Sequence, residues 1–471
     1  MSLVLSLCAL VTACTVAGVP HPDTEAVQSW VTTADGRSRM DAQATLRLTA
    51  GASSAGSGPV ITLSPGTTYQ TMRGFGASFT GSSASLVHAS PRRDEVMRRL
   101  FDPHAGIGLS ALRQPMGASD FSTDFYTYDD VPAGSQDWKL AKFSVDRDRA
   151  TVIPLLRQAA ALNPRLSVTA TPWTPPAWMK DNESLTGGSL TAASFHTYAQ
   201  YFVRFLRAYA EAGVRVGTVT PQNEPENPAG EYPSARMSAD AQSAFIGNDL
   251  GPALAEAGLG DTRILAYDHN WDGLSYPESV LADGKARKYV DGVAFHCYQG
   301  DVAAQSALHE RHPELAIELT ECSGTEGVSE ESTFADTLLW QAGRLLVDGT
   351  RNWASSVLTW NIALDPENGP ARGWCRNCTG LLTVDNKAGR VDYNASYYVL
   401  GHASKFVQPG AVRIDSAGGD GLGSVAFRNP DGGVAVIVLN PGDQRTFDLS
   451  LNGKHVTTTQ PARSLATYLL H

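Results

Sequence analysis

Two patterns of hydrophobic and polar positions divide this chain. Residues 24–63 and the segment after residue 404 alternate apolar and polar positions in short runs, which are bounded by turn residues such as those at 429–432. A period of two predicts antiparallel strands with one buried face. Because no segment of helical period interrupts either region, we predict one β-sandwich domain built from both chain ends, residues 21–70 and 405–471.

The middle of the chain, residues 71–404, alternates short apolar runs with longer segments of helical period. The clearest helix, at 195–209, carries its aromatic residues on one face. Eight strand-then-helix units predict an α/β fold, a (β/α)8 TIM barrel. The eight strand candidates lie at 74–76, 108–113, 166–170, 214–220, 264–267, 293–296, 315–319 and 356–360.

A doubly wound sheet is the alternative for such a pattern. That fold needs a glycine-rich turn after its first strand, and the third glycine of the motif is missing, since Phe79 follows Gly74 and Gly76 at that position. We therefore reject a dinucleotide-binding fold.

Composition and charge narrow the possible partners. The chain has 471 residues, with Lys+Arg 37 against Asp+Glu 48 and a formal net charge of -11. Nucleic acids and anionic membranes are bound by basic surfaces, so neither is the expected partner. A neutral ligand agrees better with this balance.

The first 20 residues predict export. They carry no charge, and their apolar run is shorter than the roughly 20 residues that span a bilayer, which is typical of a signal peptide. Residues 11–14, VTAC, also resemble a lipoprotein leader, in which Cys14 would be lipidated and anchor the protein to a membrane. A buried N-terminal strand is the alternative, and no other segment is long and apolar enough to cross a membrane.

Removal of this leader leaves four cysteines. Cys375 and Cys378 are close enough in sequence to form a small disulfide in an exported protein, whereas Cys297 and Cys322 are expected to be buried free thiols. A zinc site needs two close pairs of ligands, so we expect no metal and no cofactor.

Active residues of a barrel lie at the carboxyl ends of its strands. Two carboxylates end apolar runs there, Glu224 after the fourth strand candidate and Glu321 after the seventh. A pair of carboxylates at one cleft is typical of glycosidic bond cleavage. Their neighbours Glu226 and Glu318 compete for the same roles. Other strand-end residues are Arg113, Trp173, Asn223, His269, His296, Tyr298 and Trp360.

Several motifs in this order resemble glycoside hydrolase family 30, particularly the branch that holds lysosomal glucosylceramidase and its bacterial relatives. They lie at 74–80, 112–122, 222–225, 295–298, 321–322 and 360–370, together with the loop around Trp173. The resemblance implies a (β/α)8 barrel with a β-sandwich from both chain ends. It also implies a retaining two-step mechanism, with Glu224 as the acid/base and Glu321 as the nucleophile.

The resemblance assigns further residues to the site. It implies that Asn223 holds the sugar 2-hydroxyl and that Arg113, His296 and Tyr298 surround the nucleophile. The residues implied to line the glycone pocket are Asp120, Trp173, Trp360 and Asn377.

The chain departs from the animal enzymes of the family at two positions, Gln222 and Cys297, where those enzymes carry Glu and Trp. A preference for ceramide is therefore not implied. We predict a secreted retaining β-glycosidase that acts on β-D-glucosides. An endo-β-1,6-glucanase or β-1,6-galactanase is the alternative within the class, and a non-catalytic carbohydrate-binding protein is the alternative outside it.

Overall fold

The computed structural model describes residues 25–50, 58–324, 334–371, 375 and 377–470. The predicted leader, including Cys8 and Cys14, lies outside the described residues. The described chain begins with strands that contribute to a sheet completed by the other chain end. These strands are β1 (Ala26–Thr33), β2 (Arg39–Ala42), β3 (Leu46–Arg47), β4 (Thr49–Ala50) and β5 (Val60–Thr71).

Eight parallel strands then close into a barrel in sequence order. They are β6 (Gly74–Ser78), β7 (Ala111–Pro115), β8 (Ser167–Thr171), β9 (Thr218–Val219), β10 (Arg263–Asn270), β11 (Val290–His296), β12 (Ala316–Glu321) and β13 (Ala354–Asn361). Both faces of such strands are covered, which is why they read as apolar runs. Every residue of β13, for example, is buried.

Helices cover the outside of the barrel. The α-helices are α1 (Gly81–Ala89), α2 (Arg93–Phe101), α3 (Asp146–Ala150), α4 (Val152–Leu162), α5 (Phe195–Glu211), α6 (Ala239–Phe245), α7 (Gly251–Glu256), α8 (Ser275–Ala282), α9 (Ala303–Arg311), α10 (Phe334–Gln341) and α11 (Ala395–Ser404). Two π-helical segments, Ile246–Leu250 and Ala342–Gly349, continue α6 and α10. Within the described ranges, no helix has both the length and the apolar character needed to cross a membrane.

The predicted helix at 195–209 is α5, and its aromatic face is buried against the barrel. The fourth strand is shorter than its apolar run, because only Thr218 and Val219 pair with both neighbouring strands. The amides of Gly217 and Thr220 still donate to β8, so the run follows the barrel wall beyond the paired residues.

Beyond the barrel, three short strands form a separate small sheet, and the remaining strands complete the large one. These are β14 (Ala363–Leu364), β15 (Leu382–Asp385), β16 (Arg390–Tyr393), β17 (Val412–Gly418), β18 (Gly423–Arg428), β19 (Val434–Asn440), β20 (Arg445–Leu451), β21 (Lys454–Gln460) and β22 (Ser464–Leu470). The large sheet runs in the order β2-β1-β22-β19-β18-β17-β5-β20-β21-β4.

Strand β19 shows how this sheet joins the two domains. Val434, Val436 and Val438 pack in the sandwich core, whereas the alternate residues Ala435 and Ile437 pack in the core of the barrel. Both faces of the strand are therefore buried. The predicted (β/α)8 barrel with a sandwich from both chain ends is confirmed.

His402 on α11 joins the barrel to the sandwich. It is fully buried, and its two ring nitrogens contact the hydroxyls of Thr32 on β1 and Thr467 on β22, each at 2.9 Å. Burial lowers the pKa of His402 to about 3. The folded protein therefore holds this ring neutral at pH values where an unfolded histidine is already charged.

We expect this contact to make stability depend on pH. Below about pH 6.5 His402 binds a proton in the unfolded state but stays neutral in the folded state. The free energy of unfolding should therefore fall by about 1.4 kcal/mol per pH unit down to about pH 3. In His402→Asn this contribution should vanish, so the gap in urea stability between wild type and variant should narrow on acidification. The exposed His104→Asn is the control, and a pH-independent gap for His402→Asn would contradict the prediction.

Candidate active site

The carboxyl ends of the barrel strands surround one cleft. The fold brings together nine of the ten predicted site residues at this end of the barrel, although they come from six different barrel strands or the loops that follow them. The cleft has a volume of about 710 Å³. Its lining residues are Asp120, Trp173, Asn223, Glu224, Glu226, Asn227, Tyr232, Tyr267, His269, Asn270, Asp272, Gly273, Ser275, Tyr298, Gln299, Glu321, Trp360, Cys375 and Cys378.

Glu321 ends β12 with its carboxyl held by two donors. Arg113 in the middle of β7 donates Nη1–H to Oε2 at 2.5 Å, and the Tyr298 hydroxyl donates to Oε1 at 2.9 Å. Burial raises the pKa of Glu321 above its usual value, against the positive charges of His296 and Arg113, which lower it. The two hydrogen bonds fix the carboxylate at the floor of the cleft.

Glu224 lies on the loop after β9, in a backbone conformation that few residues other than glycine adopt, with φ 42°. The loop is held by hydrogen bonds from the amide of Glu224 to Asp268 O at 3.0 Å and from the amide of Asn223 to Pro172 O at 2.9 Å. Strained backbone of this kind is concentrated at functional sites.

The Glu224 carboxyl has two partners. His296 Nδ1 lies 3.0 Å from Oε1, and Asn227 Nδ2 donates to Oε2 at 2.8 Å. Burial raises the pKa of Glu224, but the hydrogen bond and the charge of His296 outweigh burial and lower the pKa to about 2. The carboxyl therefore rests in its ionised form.

Asp268 on β10 is a central residue of the site that the sequence reasoning missed. It is fully buried, and its carboxylate accepts hydrogen bonds from Arg113, His296, Thr220 and Thr320. Arg113 in turn donates to Asn223 Oδ1 at 2.7 Å. One carboxylate thus supports the partners of both Glu224 and Glu321.

A pair of stacked indoles forms one wall of the cleft. The rings of Trp173 and Trp360 lie 4.9 Å apart at 17°, and the Arg113 guanidinium lies 4.7 Å from the Trp173 ring. Asp120 accepts a hydrogen bond from Trp360 Nε1 at 3.3 Å, while its Oδ1 is buried with no partner among the described residues. Burial, followed by the charge of Glu321, raises the pKa of Asp120 to about 8. An unpaired buried oxygen beside indole faces is suited to a sugar hydroxyl.

In the described part of the chain, Glu318 and Glu226, the alternative candidates for the two catalytic carboxylates, are not part of the hydrogen-bond network around Glu224 and Glu321. Glu318 contacts Arg263 at 2.6 Å and Arg73 at 3.6 Å, below the cleft. Glu226 does line the cleft, although no hydrogen bond joins its carboxyl to the buried network of the described residues. His269 also lines it, with Nδ1 3.7 Å from Glu224.

Asn377 is the one predicted site residue that the structure does not place in the cleft. It is exposed and is not among the lining residues. Cys375 and Cys378, which form a disulfide, do line the cleft, and Asn377 Oδ1 lies 3.5 Å from Cys375 Sγ. The predicted disulfide of this pair is present.

The expectation of free thiols at Cys297 and Cys322 is wrong. These residues form a disulfide between the ends of β11 and β12. In the register of these strands His296 pairs with Glu321, so the two residues that follow lie side by side. The bond therefore joins the segments that carry His296, Tyr298 and Glu321.

The two disulfides should differ in their contribution to stability. The pair Cys297 and Cys322 closes a loop of sequence separation 25, and the pair Cys375 and Cys378 one of separation 3. Loop entropy gives about 3.5 kcal/mol for the longer loop and about 2 kcal/mol for the shorter one. Urea unfolding of the Cys297→Ala/Cys322→Ala and Cys375→Ala/Cys378→Ala variants measures both values. A larger loss for the second variant would contradict this account.

Three side chains of the cleft could hold a metal ion by their spacing. The ligand atoms of Glu224, His269 and His296 lie within 4.8 Å of one another. However, both ring nitrogens of His296 already face carboxylates, at 3.0 Å and 3.1 Å. Both ring nitrogens of His296 are therefore engaged with carboxylates.

Models of two protein families match the chain. The glycosyl hydrolase family 30 TIM-barrel domain matches residues 72–407, and the glycosyl hydrolase family 30 beta sandwich domain matches residues 410–468. The first match contains the barrel strands and the cleft. The second contains most of the C-terminal strands of the large sheet.

Curated relatives match over most of their length. The chain is 34% identical to an endo-1,6-beta-D-glucanase of Neurospora crassa over 433 residues, which is 88% of each chain. It is also 34% identical to the lysosomal acid glucosylceramidase of Mus musculus over 446 residues, 89% of this chain and 84% of that one. Among solved structures, the endo-beta1,6-glucanase BT3312 is similar with a TM-score of 0.85 and 30% identity, covering 94% of this chain and 99% of that one.

Proposed function

The chain belongs to glycosyl hydrolase family 30 and is a glycoside hydrolase, and on that premise we propose that it is an endo-β-1,6-glucanase that retains anomeric configuration. This proposal takes up the alternative reading of the sequence in place of a glucosylceramidase-like β-glucosidase. The similarity to two endo-1,6-β-glucanases, one by sequence and one by structure, supports it. Identity alone does not separate the two activities, since the mouse glucosylceramidase is equally similar.

The observation that carries the choice is the polar lining of the cleft on the side formed by the carboxyl ends of β9, β10 and β11 and the loops after them. Side chains with hydroxyl, amide and carboxylate groups line that side, and they suit the hydroxyls of a further sugar rather than the alkyl chains of a lipid. The cleft is also larger than one sugar residue requires. The polar lining residues on this side are Glu226, Asn227, Asn270, Asp272, Ser275 and Gln299.

In the proposed mechanism Glu321 is the nucleophile and Glu224 the acid/base. Arg113 and Tyr298 hold Glu321 in place, so its free lone pairs face the anomeric carbon of the bound sugar. The Asn223 amide oxygen accepts from Arg113, which leaves the amide NH2 to bind the sugar 2-hydroxyl. Trp173 and Trp360 provide apolar faces for the glycone, and the Asp120 carboxyl provides a hydrogen-bonding partner for its hydroxyls.

Digestion of linear β-1,6-glucan tests the proposal. An endo-enzyme should release a mixture of oligosaccharides at early times, and ¹H NMR should show the β anomer of the new reducing end first. Glucosylceramide and β-1,6-galactan are the competing substrates. Release of glucose alone, a higher kcat/KM on either competitor, or initial formation of the α anomer would each refute part of the proposal.

We also propose that the protein is exported. Four cysteines within the described residues form two disulfides, which agrees with an oxidising compartment. Mass spectrometry of the mature N-terminus tests this: cleavage within the first 20 residues supports export, and lipid on Cys14 would identify a membrane anchor. An intact N-terminus on intracellular protein would refute it.

A further inference from the structure

Asp268 fixes the protonation of one nitrogen of His296. Its Oδ2 accepts from Arg113 at 2.8 Å and Thr220 at 2.7 Å, and its Oδ1 accepts from Thr320 at 2.7 Å. With four donors around two oxygens, the carboxylate is an acceptor only. Burial opposes its charge, but Arg113 and His296 hold the pKa of Asp268 well below its usual range. The fourth donor, His296 Nε2 at 3.1 Å, must therefore carry a hydrogen.

The other nitrogen of His296 shares a proton with Glu224. His296 Nδ1 and Glu224 Oε1 lie 3.0 Å apart, and a hydrogen bond between them needs one proton. That proton has two places to rest, since either atom can donate to the other. Asn227 donates to the second oxygen of Glu224 at 2.8 Å, which favours the carboxylate form of Glu224.

We propose that this proton rests on His296 Nδ1 in the free enzyme, so that His296 stores the proton that Glu224 delivers to the leaving oxygen. The inference rests on the proposed mechanism and deepens it. His296 acts through Glu224 and is in this sense a positioning residue. The charged and titratable groups that face it come from five segments of the barrel: Arg113 on β7, Glu224 after β9, Asp268 and His269 on β10, Tyr298 after β11, and Glu321 on β12.

The surrounding charges support the stored proton. Burial lowers the pKa of His296, but the charge of Glu321 and the hydrogen bonds to Asp268 and Glu224 outweigh burial and raise it to about 9. The carboxylates of Glu224, Asp268 and Glu321 together with Arg113 and His296 form a charge cluster. Arg113 is the only permanently charged partner of these three carboxylates among the described residues. A cationic His296 offsets much of this negative charge.

The first chemical step then leaves the net charge of this charge cluster unchanged. Glu321 donates an electron pair to the anomeric carbon, and the glycosidic C–O bond breaks with its electron pair on the leaving oxygen. The leaving oxygen takes a proton from Glu224, which takes the Nδ1 proton of His296. Glu321 loses its negative charge in the ester just as His296 loses its positive charge.

The second step reverses this transfer. Water attacks the anomeric carbon, its proton passes to Glu224 and on to His296 Nδ1, and the C–O bond to Glu321 breaks with its electron pair on the carboxylate. The proton affinity of His296 thus follows the charge of Glu321. It is high when Glu321 is a carboxylate and low when Glu321 is an ester.

Nitrogen-15 NMR of the histidine rings in the full chain tests the inference without substrate. The His296 signals, assigned by their loss in His296→Gln, should show both nitrogens protonated at pH 7, with a titration midpoint near pH 9. In Glu321→Gln the midpoint should fall by at least one pH unit, because the charge that raises it is gone. A neutral ring at pH 7, or a midpoint unmoved in Glu321→Gln, would overturn the proposal.

A kinetic test uses Asp268→Asn, which keeps the shape of the side chain but removes the anionic acceptor. The alkaline limb of kcat/KM should move to lower pH by at least one unit, and aryl β-glycosides with poor leaving groups should slow more than activated ones. An unmoved limb together with equal losses would show a merely structural role and overturn the proposal. If Asp268→Asn does not fold, the NMR titration of the wild type still decides. Lack of action on β-1,6-glucan would instead refute the proposed function and leave the NMR result intact.

Discussion

Replacing Glu321 by alanine should abolish turnover of β-1,6-glucan, with a loss in kcat of about 10⁵-fold or more. Loss of a nucleophile removes the covalent route, and nucleophile deletions in other hydrolases cost about 10⁶-fold. The carboxylate is held by Arg113 and Tyr298 at the floor of the cleft, and no neighbouring carboxylate has both partners. Initial rates on the polysaccharide, with purified protein that keeps its Tm, measure the loss.

Added azide distinguishes the role of Glu321 from a general loss of structure. In Glu321→Ala the azide ion fits the space of the missing carboxylate and attacks an activated β-glycoside from that face, so the product should be the α-glycosyl azide. A β-glycosyl azide would contradict the assignment. Glu318→Gln is the matched control on the same strand. Because Glu318 contacts Arg73 and Arg263 below the cleft, this variant should keep its activity.

Replacing Glu224 by alanine should have the second largest effect, and that effect should depend on the leaving group. A positioned general acid contributes about 10²–10⁴-fold. On β-1,6-glucan, whose leaving oxygen is a poor leaving group without a proton, we expect a loss near the upper end of that range. Activated aryl glycosides, which leave without a proton, should lose far less in the glycosylation step.

The kinetic comparison uses aryl glycosides whose phenols span a range of acidity. Azide should give the β-glycosyl azide in Glu224→Ala, because it replaces the water on the side that Glu224 serves. Glu226→Gln, two residues along the same loop, is the control, and its effect should not vary with the leaving group. If Glu224→Ala slows poor and activated substrates equally, Glu224 is not the acid.

The barrel could be predicted because its strands are buried on both faces and its helices on one. This difference in burial is visible in the sequence, because short apolar runs such as β13 alternate with amphipathic helices such as α5. Glu224 and Glu321 could be found because Glu321 ends β12 and Glu224 lies four residues after the apolar run at 214–220. The strand order of a barrel then places both at one end.

Asp268 could not be found this way. Tyr267 and Asp268 both have positive φ, at 75° and 71°, and the pairing of β10 with β11 shifts register at this point. A bulge of this kind changes the direction of a side chain relative to simple alternation. The segment 263–270 contains no glycine that would mark a bulge, so the sequence pointed to His269 instead.

The disulfide between Cys297 and Cys322 was within reach of the barrel prediction. Adjacent strands of a parallel barrel place their carboxyl ends side by side, and the two cysteines each follow a strand end. The spacing of the cysteines in sequence, taken without this register, gave the wrong answer. Asn377 is exposed outside the cleft lining although Cys375 and Cys378 line the cleft, a difference that their spacing in sequence does not indicate.

The pairing of β1 with β22 has a consequence for the order in which the protein assembles during synthesis. Seven of the eight residues of β1 pair with β22, the last strand of the described chain, so β1 lacks its main neighbour until the ribosome has made nearly all of the described chain. The barrel strands lie between β1 and β22 in sequence, so they leave the ribosome before β22 does. The apolar side chains of β1, among them Val27 and Val31, therefore lack most of the sandwich core until the C-terminal strands are made. A chaperone that captures the nascent chain should hold this segment longest and release it last.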